Sequence, residues 1–293
     1  MEETMKIKMV SCEEPGFPDK LKNYPGMPKT LYYLGRLPDP SLPSAAVVGA
    51  RMCSPYGRCQ AFRYAKTLGE HQIQVISGLA RGIDSEGHKG ALETGTPTFA
   101  VLGSGIDVCY PASNKWLYRK ILEKGGGIIS EYPPGTPPKA WAFPARNRLI
   151  SALSDAVLIV EAKEKSGSLI TASFALEQGK SVYAIPGAVT DELSKGCNKL
   201  IFDGAGIAYS PEILLLEWGI SGQKEEKSCE KEKLGLAQDL DLVYSCLDLR
   251  PKNLDDLVKK TGYPSAKVSD SLVRLELMGL ARECGRQHYV RQI

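Results

Sequence analysis

Short apolar segments alternate with amphipathic segments between residues 45 and 218. The apolar segments, which predict strands, are Ala45–Ala50, Ile73–Ser77, Thr98–Gly103, Ile128–Ser130, Ala156–Val160 and Val182–Pro186. The segments of helical spacing cover residues 56–69, 84–94, 113–124, 145–153, 168–179 and 211–218. Strands that are apolar throughout and separated by helices are typical of a parallel sheet with both faces covered. The pattern therefore predicts an α/β protein with a doubly wound parallel sheet in residues 44–218.

The two ends of the chain have different patterns. Residues 1–43 contain seven prolines, which interrupt long helices, so we expect an N-terminal extension there rather than a domain. Residues 219–236 carry four lysines and four glutamates, which predicts a charged linker. Residues 237–293 predict three short helices and a hairpin. That arrangement indicates a small winged helix-turn-helix domain, with residues 265–278 in the position of a recognition helix.

Glycine-rich loops follow several of the predicted strands. They cover residues 49–51, 77–84, 103–107 and 161–168. Because the carboxyl ends of parallel strands share one edge of a sheet, we expect these loops to lie together at a ligand-binding edge. None has the G-x-G-x-x-G spacing of a dinucleotide site or the terminal Lys-Ser/Thr of a P-loop. The sequence therefore predicts no NAD, no ATP and no other cofactor.

One segment near this edge combines an aromatic ring, two guanidinium groups and a carboxamide: Phe143, Arg146, Asn147 and Arg148. Pro144 is suited to the first turn of a helix, where free backbone N–H groups favour an anion. Arginine matches phosphate oxygens in pairs, and a phenyl ring offers a face on which any base can stack. The alternative is that the arginines pair with acidic neighbours while Phe143 packs in the core. The segment by itself leaves both interpretations open.

Composition limits the remaining classes of function. The chain has 293 residues, 43% of them hydrophobic, and a net charge of +3, so affinity for nucleic acid would have to come from a local patch. Its eight cysteines show no C-x-x-C spacing, which predicts neither a metal site nor disulfides. No signal sequence and no apolar run of ~18 residues is present, so we expect a cytoplasmic protein without a membrane span.

Candidate catalytic residues are few. Asp84 falls where a helix should begin and is expected to cap it, and His88 is expected to cap or to pack. Glu131 and Glu161 follow strands, but their spacing specifies no general acid and base. The sequence therefore names no catalytic site.

Several ordered motifs resemble those of the DprA/Smf family of DNA-processing proteins, from about Tyr24 to about Trp218. The motifs are Val48-Gly49-Ala50-Arg51, Ser77-Gly78-Leu79-Ala80-Arg81-Gly82-Ile83-Asp84, Val101-Leu102-Gly103-Ser104-Gly105, Tyr110-Pro111, Ser130-Glu131-Tyr132-Pro133, Phe143-Pro144-Ala145-Arg146-Asn147-Arg148, Ser166-Gly167-Ser168-Leu169-Ile170-Thr171 and Ala184-Ile185-Pro186-Gly187. A C-terminal winged helix is a common addition in that family.

The resemblance implies an extended Rossmann-like fold that binds single-stranded DNA in a basic pocket, usually as a homodimer. It also implies a non-enzymatic role in natural transformation: protecting incoming strands and loading the RecA recombinase onto them, with displacement of single-strand-binding protein. The positions that match the family's DNA pocket are Arg51, Gly103, Ser104, Gly105, Lys139, Phe143, Arg146, Asn147 and Arg148.

Three hypotheses follow. The first is a single-stranded DNA binder in which Arg51, Arg146 and Arg148 hold phosphates and Phe143 stacks a base, so that replacing Arg51 or Arg146 by Ala lowers affinity without unfolding the domain. The second is a Rossmann-like nucleotide hydrolase that depends on Glu131 or Glu161. The third is a regulator that binds duplex DNA through the winged helix.

Overall fold

The computed structural model describes residues 6–220, 237–249, 251–285 and 287–292. The chain divides into two compact units, Met1–Gly222 and Gln223–Ile293. The predicted charged linker, residues 219–236, lies outside the described residues from residue 221 onward, so the predicted domain boundaries stay predictions.

The first unit is built on a nine-stranded sheet. Its strands in chain order are β1 (Lys8–Ser11), β2 (Thr30–Gly35), β3 (Ser44–Val48), β4 (Gln74–Ser77), β5 (Thr98–Leu102), β6 (Gly127–Ser130), β7 (Ala156–Ile159), β8 (Ser181–Ala184) and β9 (Gly206–Ile207). Their order in the sheet is β1-β2-β6-β5-β4-β3-β7-β8-β9. Strands β3 to β9 run parallel, and the predicted doubly wound α/β fold is confirmed.

Eight helices accompany this sheet in the described part of the first unit. They are α1 (Asp19–Lys22), α2 (Pro55–Glu70), α3 (Ile83–Leu92), α4 (Lys115–Glu123), α5 (Ala142–Leu153), α6 (Gly167–Glu177), α7 (Lys195–Phe202) and α8 (Pro211–Glu217). All five residues of β3 are buried, as expected for a central strand covered on both faces. Tyr64 and Leu68 of α2 pack on one face, and Leu149 and Leu153 of α5 pack on the other.

The N-terminal extension contributes to the sheet. Strand β2 pairs antiparallel with β6, and β1 pairs antiparallel with β2. Leu31 and Leu34 of β2 are buried, so this segment joins the core although it precedes the predicted domain. The two strands cover an edge of the parallel sheet that would otherwise be unpaired.

The second unit has the winged-helix arrangement. Its elements are α9 (Gln238–Cys246), β10 (Lys252–Asn253), α10 (Leu254–Thr261), α11 (Ser265–Leu277), β11 (Ala281–Gly285) and β12 (His288–Arg291). The side chain of Asn253 accepts a hydrogen bond from the Asp256 N–H at 2.7 Å and caps α10. Pro264 precedes α11 as its N-cap residue. Strand β10 adds to the predicted hairpin and makes a three-stranded sheet.

Candidate nucleic-acid interface

The topological switch point of the sheet lies between β3 and β7. Doubly wound sheets commonly bind ligands there. In this chain the buried carboxylate of Glu161 occupies the position and accepts hydrogen bonds from the backbone N–H of Ser54, at 2.9 Å, and from its hydroxyl. A Cβ atom at Gly57 would collide with this carboxylate. Burial raises the pKa of Glu161, while the bonds from Ser54 oppose that rise. The carboxylate of Glu161 therefore closes the switch point.

An open cleft lies beside the switch point, at the start of α5. We call it the aromatic cleft. Its volume is about 340 Å³, and it is lined by Arg51, Tyr110, Pro138, Ala140, Phe143 and Pro144. Pro144 lies in the first turn of α5, as predicted, where a missing N–H leaves no helical hydrogen bond unmade. The first turn of α5 contains no acidic side chain that would repel an anion.

Two aromatic rings and one cation form the wall of the cleft. The ring centroids of Tyr110 and Phe143 are 5.3 Å apart with an angle of 34° between the planes. The guanidinium carbon of the exposed Arg51 lies 5.4 Å from the centroid of the Phe143 ring. Phe143 is partly exposed, so it is not sealed in the core. A cation beside an accessible ring is a suitable arrangement for a phosphate and its base.

The turn after β5 supports this wall. A Cβ atom at Gly103 would lie 2.9 Å from Cδ1 of Phe143, so glycine allows the ring to approach the backbone. The hydroxyl of Ser104 donates to the Val108 carbonyl at 2.7 Å, and the N–H of Gly105 donates to the Thr136 carbonyl at 2.8 Å. The resemblance matches residues 103–105 to the family's DNA pocket, where free amides would approach a nucleic-acid backbone. The amide of Gly105 is instead engaged within the protein.

A second group of aromatic and basic side chains lies just before α5. Lys139 is exposed, and its Nζ lies 6.0 Å from the centroid of the Trp141 ring. Trp141 is 60% exposed and makes an edge contact with Tyr132 at a centroid distance of 6.0 Å. Lys139, which was expected in the binding site, therefore has the accessible indole of Trp141 beside it.

The structure places Arg146 inside the protein, in contrast to the expected phosphate contact. Its side chain is buried, and Nη1 donates to the carbonyl oxygen of Gly78 at 2.9 Å and to that of Val101. Burial lowers the pKa of Arg146 to about 10, partly opposed by the carboxylate of Asp84. Burial likewise raises the pKa of Asp84, and the charge of Arg146 opposes that shift. The guanidinium of Arg146 therefore links the carboxyl ends of β4 and β5.

Arg148 and Asn147 also have partners within the protein. The guanidinium of Arg148 donates to both carboxylate oxygens of Glu131, with its shorter contact, Nη2 to Oε2, at 2.6 Å. Asn147 donates from Nδ2 to the Gly167 carbonyl at 3.2 Å. The expected phosphate contact of Arg148 would therefore have to compete with a bidentate carboxylate pair.

Asp84 is not the predicted N-cap residue, whereas His88 packs in the core, which is one of its two expected roles. Gly82, not Asp84, is the N-cap residue of α3, and the Asp84 carboxylate accepts from the N–H of Gly78 at 3.1 Å and from that of Ala80 at 3.4 Å. His88 is buried, and its Nδ1 lies 2.7 Å from the Thr98 hydroxyl. Burial lowers the pKa of His88 to about 3, so it is neutral at physiological pH. Across the described ranges, no three His, Cys, Asp or Glu side chains are grouped to hold a metal ion.

Gly78 gives a direct test of this buried arrangement. A Cβ atom there would lie 2.5 Å from Nη2 of Arg146 and 2.7 Å from Oδ2 of Asp84. We therefore expect Gly78→Ala to lower the free energy of unfolding by about 1–2 kcal/mol through overpacking, measured by urea denaturation. Gly167→Ala is the matched control, because a Cβ atom at Gly167 would meet nothing within 4 Å. Equal stability of the two variants would contradict the close packing around Gly78.

Three cations of the winged-helix unit make contacts within that unit. In α11, Lys267 lies over the Tyr263 ring at 4.0 Å and Nε of Arg274 is 3.0 Å from the Asp270 carboxylate. Arg291 lies over the Tyr244 ring at 4.3 Å. Arg282, on β11, is exposed. Arg286, four residues further along the chain, lies outside the described residues.

Sequence reasoning did not assign Tyr110, Tyr132 and Trp141 to the site. Tyr110 follows β5, whereas Tyr132 and Trp141 lie in the loop between β6 and α5, and only the fold brings Tyr110 against Phe143. The position of Tyr110, just after the glycine-rich turn at residues 103–105, is the signal that could have indicated it.

Family models and related proteins match both units. The model described as DNA recombination-mediator protein A matches residues 8–219, and the model of the DprA winged helix domain matches residues 230–285. The DNA processing protein DprA of Streptococcus pneumoniae is 41% identical over 216 residues, covering 74% of this chain and 76% of that protein. Protein Smf of Escherichia coli is 35% identical over 276 residues, covering 92% of this chain and 74% of that protein.

Two solved structures are similar to the first unit. DprA from Streptococcus pneumoniae superposes with a TM-score of 0.69 and 41% identity, over 72% of this chain and 74% of that chain. DNA processing protein A from Helicobacter pylori superposes with a TM-score of 0.65 and 27% identity, over 74% of this chain and 98% of that chain. The Helicobacter structure is described as giving insight into that protein's mode of binding single-stranded DNA.

No helix in the described part of the chain combines the length and apolar character needed to cross a bilayer. The order of the strands, the winged-helix unit and the family matches agree with one another. The chain therefore belongs to the DprA/Smf family of DNA recombination-mediator proteins.

Proposed function

We propose that this chain is a non-catalytic, single-stranded DNA-binding recombination mediator in the cytoplasm, and that the aromatic cleft is its DNA site. The observation that carries the proposal is the placement of Arg51 over the accessible Phe143 ring, with Tyr110 beside it. Stacked rings bind bases of any identity, while an exposed guanidinium binds phosphate, so binding would be largely independent of sequence. The single-strand binding described for the Helicobacter pylori relative supports the proposal.

The site residues divide into two groups under this proposal. Arg51, Phe143 and Lys139 contact the strand, because they are at least partly exposed and lie at or beside the cleft. The remaining predicted residues hold the wall of the cleft in position and do not themselves contact the strand. They are Gly103, Ser104, Gly105, Arg146, Asn147 and Arg148. Trp141 joins the first group because it is exposed beside Lys139.

The rival function, a nucleotide hydrolase, requires an available carboxylate. Glu131 is held by Arg148, and Glu161 is held by Ser54 at the closed switch point. Both carboxylates named in that hypothesis are therefore engaged in structural contacts. This favours binding without turnover.

The proposed partners are RecA, which would be loaded onto the bound strand, single-strand-binding protein, which would be displaced, and a second copy of this chain. Large apolar side chains that are exposed near one edge of the sheet support a homodimer. Phe202 is 90% exposed at the end of α7, and Tyr209 is 68% exposed just after the short edge strand β9. Large exposed apolar side chains beside an edge strand favour association. Protection of incoming strands during natural transformation follows from binding that covers the strand.

Replacing Arg51 by Ala tests the proposed site. We expect the affinity for oligothymidine to fall and the slope of log affinity against log salt to become shallower by about 0.7, the contribution of one phosphate contact on a single strand. Arg51 is exposed, so its loss leaves the fold intact. Fluorescence anisotropy of a labelled oligonucleotide over a salt series measures both quantities.

Arg63→Ala provides the matched control for this measurement. Arg63 is also exposed, but it lies on α2 and its guanidinium is 3.9 Å from the Glu212 carboxylate on α8. We expect its affinity and salt slope to equal those of the wild type. An Arg51→Ala variant that binds as the wild type does at every salt concentration would show that the cleft is not the DNA site.

A further inference from the structure

The start of α4 carries an exposed aromatic side chain surrounded by cations, outside the aromatic cleft. Trp116 is 53% exposed, and Nζ of Lys89 lies 5.6 Å from the centroid of its ring. Lys115, its neighbour in sequence, is exposed, and so is Arg81 on the loop after β4. We call Arg81, Lys89, Lys115 and Trp116 the α4 surface.

The buried side of α4 fixes the orientation of this surface. Leu117 and Ile121 are completely buried, and the Tyr118 hydroxyl donates to the Ile106 carbonyl at 2.7 Å. These contacts anchor the helix without using Trp116. More than half of the Trp116 side chain is left in water, where an indole is unusual in a soluble domain unless it meets a ligand or partner.

The α4 surface is continuous with the aromatic cleft. Tyr110 lines the cleft, and the chain runs from it through a short 3-10 turn, Ala112–Asn114, directly into α4. Within that turn, the hydroxyl of Ser113 accepts a hydrogen bond from Nε of Arg81 at 3.4 Å. Trp116 lies six residues after Tyr110 along the chain, so the backbone between them spans at most ~20 Å.

The charges of the α4 surface also match a polynucleotide. The carboxylate of Glu86 lies 2.9 Å from Nζ of Lys89 and pairs with that one member of the surface. Arg81 and Lys115 therefore add positive charge next to an accessible π face. Alternation of cations and aromatic faces is the composition of a platform for single-stranded nucleic acid.

We propose that the α4 surface is a second contact site for single-stranded DNA, on which a strand leaving the aromatic cleft stacks a base on Trp116 and places phosphates at Lys115 and Arg81. The proposal rests on the proposed function, because it uses the cleft as the first site. It adds that the full footprint on DNA is longer than the cleft and that short strands occupy the cleft alone.

The test compares two oligothymidines, one of about 5 and one of about 20 nucleotides, lengths close to the ends of the range known for single-strand modules. We expect Trp116→Ala to bind the long strand roughly 5- to 20-fold more weakly than the wild type and the short strand equally well. Trp116→Phe keeps a ring and should retain most of the affinity for the long strand. Lys115→Ala should make the salt slope for the long strand shallower by about 0.7 and leave the slope for the short strand unchanged.

A matched control lies at the other edge of the sheet. Lys180, just before β8, is 5.7 Å from the Tyr24 ring and resembles the Lys89 and Trp116 pair in chemistry. We expect Lys180→Ala to bind both strands as the wild type does.

The outcomes separate the two proposals. If Trp116→Ala binds both strands with wild-type affinity, or weakens both equally, the second contact site is wrong while the cleft stands. If the wild type binds neither strand, the proposed function fails, and if Arg51→Ala changes nothing while the wild type binds, the cleft is not the DNA site.

Discussion

Replacing Arg146 by Ala is expected to lower the free energy of unfolding of the first unit by about 2–4 kcal/mol, because it removes the positive charge that offsets burial of the Asp84 carboxylate. The variant also loses the hydrogen bonds from Nη1 to the carbonyl oxygens of Gly78 and Val101. All three tryptophans, Trp116, Trp141 and Trp218, belong to this unit, so indole fluorescence during urea denaturation reports on it alone.

The decrease in the free energy of unfolding caused by Arg146→Ala should depend on pH. The pKa of Asp84 is already raised above its ordinary value of 3.8 in the folded chain, and removal of Arg146 raises it further. Between the unfolded and folded pKa values the folded state binds more protons, so stability falls as pH rises through that interval. The penalty for Arg146→Ala should therefore be smaller near pH 4 than at pH 7, where the carboxyl group is charged in the unfolded chain.

Two further variants make this result specific. Arg63→Ala removes an exposed arginine and should cost less than ~1 kcal/mol. Combining Arg146→Met with Asp84→Asn removes both charges, so the pair should cost less than the sum of the two single changes. If Arg146→Ala instead keeps wild-type stability and loses only DNA affinity, the guanidinium binds the strand directly, as the sequence first suggested.

Replacing Phe143 by Leu is expected to weaken binding of single-stranded DNA more than any other single change in the cleft. Stacking contributes ~1–3 kcal/mol per base, or roughly 5- to 150-fold in affinity. The phenyl ring also supports Arg51, whose guanidinium carbon lies 5.4 Å from its centroid. Leucine keeps an apolar side chain above Gly103 but has no π face. Fluorescence anisotropy with oligothymidine at constant salt measures the effect.

Phe143→Tyr serves as the companion variant, because it keeps the aromatic face and should retain affinity within a few-fold. Phe202→Ala removes an exposed ring far along the chain, at the end of α7, and should leave the affinity per protomer unchanged. Identical binding by Phe143→Leu and the wild type would refute base stacking at this position.

The doubly wound sheet could be predicted from the chain because its strands are apolar throughout. β3 and β5 are completely buried, and such strands leave no ambiguity about which face is covered. The strand pairing of residues 8–11 and 30–35 could not be predicted, because the prolines around them dominate the local pattern and the pairing is with β6, far along the chain.

The position of Phe143 against the turn after β5 fits the predicted edge of the sheet, whereas the contacts of Arg146 and Arg148 could not be predicted. The assignment of this edge as the DNA site stays a prediction. Arg146 and Arg148 are two residues apart and look equivalent in the sequence. The guanidinium of Arg146 donates to the main-chain carbonyl oxygens of Gly78 and Val101, which are far from it in the sequence. Every residue type has a main-chain carbonyl, so the sequence contains no indication of these contacts. Arg148 is held by Glu131, the acidic neighbour that the alternative interpretation required. Arg51, by contrast, is exposed at the carboxyl edge of the sheet, where it was expected.

The contact between Arg51 and Phe143 has a thermodynamic consequence. Ordering a long, freely rotating side chain on binding costs about 0.5–1.5 kcal/mol, and the guanidinium of Arg51 already rests on the ring before any strand arrives. Much of that entropy is therefore lost during folding instead of during association. Under the proposed function, an incoming strand would meet a positive charge already placed beside the ring, and the favourable entropy of releasing its counterions would be left largely undiminished.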